Sequence, residues 1–183
     1  IKYTIRGNDV RNMEKLRTSR NIILIGMPGA GKSTIGVLLA KTLGLSFIDT
    51  DLVIQEREGM LLQEIIDLYG LDRFLKIEEN TIISLKCESS VVATGGSVVY
   101  SEKAMRYLKQ NATVIYLKVE YEEIERRITN ISTRGIAMNK GETLFDLYNE
   151  RIPLYDRYAD IVIDCSGKDM EEIICEIIKL LGL

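Results

Sequence analysis

Ile22-Ile23-Leu24-Ile25-Gly26-Met27-Pro28-Gly29-Ala30-Gly31-Lys32-Ser33-Thr34 decides the fold. The segment Gly26 to Thr34 fits the phosphate-binding pattern G-x-x-x-x-G-K-[ST] at every fixed position. The apolar, largely β-branched run before it reads as a buried parallel strand. The residues after it, Thr34 to Leu43, read as an amphipathic helix with Ile35, Leu38, Leu39 and Leu43 at helical spacing. A strand, a glycine-rich turn and a helix N-terminus gather backbone N–H groups and the positive end of a helix dipole at one point, which is a phosphate site. In this motif the backbone of Gly26, Gly29, Ala30, Gly31 and Thr34 cradles phosphate. Lys32 reaches the β- and γ-phosphates, and the Ser33 hydroxyl holds Mg²⁺.

Working outward, short apolar runs alternate with helical ones. Ser46–Asp49, Val91–Thr94, Thr113–Val119 and Ile161–Asp164 read as further strands. Helical patterns cover Leu61–Tyr69, Arg73–Lys86, Lys103–Gln110 behind a Ser101 N-cap, Tyr121–Ile128, Leu144–Tyr158 interrupted at Pro153, and Met170–Leu181. Glu122/Arg126 and Glu123/Arg127 sit at ion-pair spacing on one helix. Residues 130–142 are polar, carry Gly135 and Gly141, and read as a loop suited to a lid. The expected architecture is α/β: a three-layer α/β/α fold around a five-stranded parallel sheet covered on both faces. Residues 21–183 form one domain, and residues 1–20 read as a polar N-terminal extension in which Met13 is a candidate natural start.

Composition narrows the chemistry. The chain has 183 residues, 46% of them hydrophobic, with a net charge of −3. No basic field invites nucleic acid. No run approaches the ~20 apolar residues of a membrane span. There is no histidine, and Cys87, Cys165 and Cys175 are widely spaced. Zinc sites and histidine-based triads are therefore not expected, and any general base is a carboxylate, a lysine or water. An odd set of scattered thiols suits a reducing, cytoplasmic setting.

Ligands of parallel α/β sheets bind beyond the carboxyl ends of the strands. The phosphate loop, Asp49-Thr50-Asp51, Gly95-Gly96 and Cys165-Ser166-Gly167 all follow strands. If the second strand persists, Asp49 and Asp51 share one side, where they can hold Mg²⁺ through water and accept a substrate proton. Their other reading is structural, with Asp51 capping a helix over residues 52–58. Gly95-Gly96 is either a close approach to ligand or a tight turn. Arg134, beside Gly135 in the polar loop, is a candidate for neutralising a transferring phosphoryl group. Arg151 precedes Pro153 in a helix.

These features, in this order and spacing, resemble the shikimate kinases, small P-loop kinases of the nucleoside-monophosphate-kinase-like fold. The resemblance runs from about Asn21 to Leu183. Its specific parts are Asp49-Thr50-Asp51, Gly95-Gly96 and Arg151-Ile152-Pro153-Leu154-Tyr155. It implies an ATP- and Mg²⁺-dependent transferase of aromatic amino acid biosynthesis, a cytoplasmic monomer acting on a small hydroxylated acid. Lys32, Asp51 and Arg134 would be catalytic. Ser33 and Asp49 would place the metal. Asp51, Gly95, Gly96 and Arg151 would bind the acceptor. Arg127 would stack on adenine, with Ser166 in the turn cradling the base.

The acceptor half departs from the family's G-E-x-x-F-R-x-x-E pattern. In Gly70-Leu71-Asp72-Arg73-Phe74-Leu75-Lys76-Ile77-Glu78, Leu71 replaces the glutamate. Leu75 replaces the arginine that grips the acceptor carboxylate. Ser97 replaces a third glycine after Gly95-Gly96. One helical step rotates a side chain by ~100°, so Lys76 is no simple substitute for the arginine. Loss of a charge-assisted bidentate partner costs about 1.5–3 kcal/mol. Three readings stay open: a shikimate kinase with an altered carboxylate grip, a related kinase for another small polyol or hydroxy acid, and a nucleotide-binding regulatory module with little turnover.

Overall fold

The computed structural model describes residues 21–128, 135–139 and 141–183. β1 (Asn21–Ile25) is the middle of a five-stranded sheet and is buried along its whole length. The other strands are β2 (Ser46–Asp49), β3 (Ser90–Ala93), β4 (Ala112–Lys118) and β5 (Ile161–Asp164). The order is β2-β3-β1-β4-β5 and every pairing is parallel. Parallel strands need helical crossovers on both faces, which is why the interior strands carry apolar residues on both sides.

Eight helices are described. They are α1 (Lys32–Leu43), α2 (Thr50–Glu58), α3 (Leu62–Tyr69), α4 (Leu71–Ser84), α5 (Glu102–Lys109), α6 (Tyr121–Arg127), α7 (Leu144–Tyr158) and α8 (Met170–Leu180). A 3₁₀ turn spans Val98–Tyr100. The α/β class, the five strands and the covered parallel sheet agree with the sequence reading. Most element ends move by one to three residues, as helix and strand termini do. Leu38, expected on the apolar face of α1, is 36% exposed, and Gly36 takes its place against the sheet beside Phe47.

Pro153 does not interrupt α7, which runs unbroken through it. Leu147, Arg151 and Tyr155 bury one face of this helix, while Pro153 and Asn149 are exposed. The Asn149 carbonyl that loses its proline-side donor therefore faces water, and packing of the opposite face holds the helix together. Of the two expected ion pairs on α6, Glu123–Arg127 forms. Arg126 instead donates to the backbone oxygen of Glu122 at 3.2 Å.

The apolar interior is divided. The larger cluster fills both faces of the sheet. A second, smaller one gathers Ile54, Leu62, Ile65, Phe74 and Ala137, joining α2, α3 and α4 to the segment 135–139. All three cysteines are free thiols. No helix among the described residues is long and apolar enough to cross a membrane.

Gly26 fixes the exit from β1. Its φ is +143°, and a β-carbon there would lie 2.7 Å from the Leu117 carbonyl oxygen of β4. Both strain and collision oppose any side chain. Gly26→Ala is expected to destabilise the protein by about 1–3 kcal/mol, read as a lower urea midpoint at unchanged slope. An unchanged midpoint would contradict this account of the turn.

Candidate active site

The helix that follows the phosphate loop begins without a side-chain cap. At α1 the N-cap is Gly31, with φ 90°, and no side chain accepts from the first turn. Helices α2, α5, α7 and α8 use Asp49, Ser101, Thr143 and Asp169 as caps, while α4 and α6 share the lack of one. The N–H groups at the start of α1 are thus left for an external acceptor, at the positive end of the helix dipole. They open into a cleft of about 860 Å³. Gly29, Ala30, Gly31, Lys32, Ser33 and Thr34 all line it.

Lys32 folds back in this structure. Its Nζ donates to the carbonyl oxygens of Gly26 and Met27, at 2.8 and 2.9 Å. Burial lowers its pKa to about 8, with the carboxylate of Asp51 opposing that shift. Beside it, Ser33 Oγ donates to Asp49 Oδ2 at 2.6 Å. The hydroxyl and carboxylate thus form an oxygen pair at the loop, the donor type that suits Mg²⁺.

The stretch Asp49-Thr50-Asp51 behaves differently from a continued strand. β2 stops at Asp49 and α2 starts at Thr50. Asp49 rather than Asp51 is the cap, its Oδ1 accepting from the Asp51 N–H at 3.0 Å. A helix start satisfies its N–H groups sooner than an unpaired strand extension would. Asp51 then projects from the first turn of α2 into the cleft. Burial raises its pKa to about 6, and the neighbouring Asp49 adds to the shift. Thr50 turns inward, and its Oγ1 accepts from the Gly95 N–H at 3.1 Å, tying the end of β2 to the turn after β3.

That turn, Gly95-Gly96-Ser97, works as a close approach. A β-carbon on Gly95 would lie 2.2 Å from Glu78 Oε1 and 2.9 Å from Asp51 Oδ1. One on Gly96 would lie 2.9 Å from Pro28 Cδ and 3.0 Å from an Arg151 nitrogen. The glycines let two carboxylates, the phosphate loop and a guanidinium converge on one piece of backbone. Arg151 is 1% exposed. Its Nε donates to Tyr100 Oη at 3.1 Å, its Nη2 donates to the Ala137 carbonyl, and its guanidinium lies 5.0 Å from the Tyr100 ring centroid. Tyr155, one turn along α7, donates to the Gly96 carbonyl at 2.7 Å and lies near Met27 of the phosphate loop.

At the other end of the cleft Arg127 donates to the Gly29 carbonyl at 3.2 Å and pairs with Glu123. Ser166 is not among the lining residues. Its hydroxyl accepts from the Glu120 N–H at 3.1 Å and joins the ends of β4 and β5. Lys168, Asp169 and Met170, just beyond it, line the cleft instead. Gly26 and Asp49 support the lining from behind. Arg134 lies outside the described residues. From the expected lid, residues 135–139 carry no regular secondary structure, and Gly135, Ile136 and Ala137 line the cleft. A β-carbon on Gly135 would sit 2.3 Å from Leu62 Cβ, so this segment rests on the start of α3.

Tyr100 and Ala137 carry no sequence signal of their own, and Thr50, Phe74 and Tyr155 stand in quoted motifs whose spacing assigns them no contact. Thr50, Phe74, Tyr100, Ala137 and Tyr155 become site residues only through contacts across the fold. Leu75, in place of the expected arginine, packs against the small apolar cluster. Lys76 pairs with Glu79 in its own helix, and Arg73 is exposed, so neither replaces that arginine.

Comparisons with known proteins agree with this geometry. The model of the shikimate kinase family matches residues 28–182. The shikimate kinase of Thermodesulfovibrio yellowstonii is 37% identical over 163 residues, covering 87% of this chain and 94% of that one. That of Haemophilus influenzae is 39% identical over 166 residues, covering 88% and 92%. Among solved structures, the shikimate kinase of Acinetobacter baumannii in complex with shikimate superposes with a TM-score of 0.84. It is 28% identical, covering 93% of this chain and 97% of that one. The Aquifex aeolicus shikimate kinase gives a TM-score of 0.77 at 31% identity, covering 88% and 96%. With the phosphate loop, the carboxylate after β2, the glycine turn after β3 and the buried arginine of α7 converging on one cleft, the chain belongs to the shikimate kinase family.

Proposed function

We propose that the protein transfers the γ-phosphoryl group of ATP to a hydroxyl of shikimate. The observation that carries this reading is Arg151. A buried guanidinium lines the cleft together with the phosphate loop and Asp51. A buried cation beside a cavity calls for an anionic partner, and the planar fork of arginine suits a carboxylate. A hydroxylated acid seated on Arg151 brings its hydroxyls toward Asp51 and its reacting oxygen toward the loop.

The reaction then follows from positioning and charge. The acceptor oxygen attacks the γ-phosphorus in line, the bond to the β–γ bridging oxygen breaks, and ADP leaves. The acceptor proton passes to Asp51, whose pKa of about 6 suits a base working near neutrality. Lys32 exchanges its two carbonyl partners for phosphate oxygens, whose charge restores the protonation that burial weakens. Mg²⁺, when bound, neutralises phosphate charge, and Ser33 and Asp49 are the residues that would hold it. Arg134 is assigned to the transferring phosphoryl group, and Arg127 and Ser166 to the adenine end. We assign the enzyme to the cytoplasm as a monomer, its three free thiols suiting a reducing compartment.

Leu75 in the small apolar cluster favours a second reading, in which the acceptor is another small hydroxy acid or polyol. An ADP-release assay over a panel of hydroxylated acids separates the two. Shikimate is expected to stimulate turnover to roughly 1–100 s⁻¹. Silence with shikimate and turnover with another acid would overturn the first reading.

The residue roles have their own tests. Lys32→Ala is expected to lower kcat by about 10²-fold or more with unchanged circular dichroism. Asp51→Asn is expected to lower kcat by about 10²–10⁴-fold while ATP still binds. Arg151→Lys keeps the charge but loses the fork. Its expected mark is a shikimate KM about tenfold to a hundredfold higher with a smaller change in kcat. Wild-type kinetics from any of the three would remove that residue from the mechanism.

A further inference from the structure

Glu78 has no part in the transfer just described, yet it occupies the costliest position in the site. It is 2% exposed, and its Oε1 has no hydrogen-bond partner among the described residues. That oxygen lies 2.2 Å from where a Gly95 β-carbon would stand, directly beneath the glycine turn. Ser97, on the same turn, favours the ionised side chain. A buried carboxylate with an unpaired oxygen is expensive unless a charge or a proton compensates it.

The groups facing it come from three elements. Asp51 approaches from α2, Lys32 from α1, and Arg151 and Tyr155 from α7. Glu79, its neighbour on α4, is engaged with Lys76 and Ser101. Two cations and two carboxylates therefore share a poorly solvated volume. Within it, Arg151 favours the ionised form of Glu78 and Asp51 opposes it. Any anion that docks on Arg151 offsets the field that keeps Glu78 charged.

We propose that Glu78 is a positioning residue that couples acceptor binding to proton uptake: it takes up a proton when an anionic acceptor occupies Arg151 and releases it when the site empties. The inference rests on the reading that Arg151 receives the acceptor carboxylate. Burial first, and Asp51 after it, raises the Glu78 pKa to about 7, against the pull of Ser97 and Arg151. The free enzyme thus holds a mixed population near neutrality, and an added anion shifts it to the neutral form. The sign follows. The bound state binds more protons, so affinity for the acceptor is greatest below pH 7 and falls as pH rises through the Glu78 pKa. An uncharged polyol gains nothing from this coupling, so the device selects for anionic acceptors.

Calorimetric titration of the enzyme with shikimate at pH 7, in phosphate, HEPES and Tris buffers of differing ionisation enthalpy, reads the coupling directly. Wild type is expected to take up about half a proton per site, as a group with pKa near the working pH is half protonated beforehand. Its Kd should rise between pH 6 and 8.5, by up to about tenfold per pH unit above 7. Glu78→Gln should abolish the uptake, flatten the profile and bind more tightly than wild type at pH 8. Uptake that persists in Glu78→Gln would belong to Asp51 or Lys32 and would overturn the assignment. A wild-type Kd independent of pH over this range would overturn it as well, with the kinase reading intact. If Glu78→Gln does not fold, the wild-type buffer series decides alone: no uptake overturns the proposal, and uptake with a midpoint near pH 7 supports it. Absence of both shikimate binding and shikimate-dependent turnover would overturn the functional reading and this inference with it.

Discussion

Desolvation of opposite charges around the backbone of Gly95 and Gly96 is the constraint on which the site depends. Lys32, Asp51, Glu78 and Arg151 converge there from four different helices. No single pair among them would repay its removal from water. Held together, with Thr50, Tyr100 and Tyr155 supplying hydrogen bonds around them, they form a polar interior. Burial moves the lysine down and both carboxyls up, so three of the four groups titrate closer to neutrality than they would in water. The stability given up in this way goes into a site whose charges are preorganised before any ligand arrives.

The two apolar clusters have separate tasks. The large one packs helices onto the sheet and fixes where β1 ends, hence where the phosphate loop begins. The small one binds α2, α3 and α4 to residues near Ala137, where Leu62, Phe74 and Ala137 also line the cleft. Leu75 packs against the small cluster, away from the phosphate loop. Arg151 bridges the two clusters. It is rooted in α7, which packs on the sheet, and its guanidinium reaches the Ala137 carbonyl. A movement of residues 135–139 would therefore be felt directly by the Arg151 guanidinium.

Much of this was legible along the chain. The strand–loop–helix at Ile22–Leu43 and the alternation that follows it specify a covered parallel sheet, because local periodicity reports burial. The carboxylate after β2 and the glycines after β3 are visible as types at strand ends. What local patterns misread were the joints. Asp49-Thr50-Asp51 looks like strand but turns to helix at Thr50, where capping by Asp49 wins over alternation. Pro153 looks like a break but faces solvent on a helix held by its buried side. The Ser166 hydroxyl closes the ends of β4 and β5 by accepting from the Glu120 N–H, a contact that its place in the sequence does not show.

By itself the sequence determined that this is a phosphate-binding α/β domain, and which residue types stand at its strand ends. Those features depend on contacts between near neighbours, which spacing along a chain records. The fold alone sets Glu78, on a helix far from the glycine turn in sequence, beneath Gly95 with one oxygen unpaired among the described residues. Likewise only the fold brings Tyr155 to Gly96 and Arg151 to Ala137. The reason is physical: a buried charge is defined by what surrounds it, and the surroundings of Glu78 are supplied by three other helices and a turn.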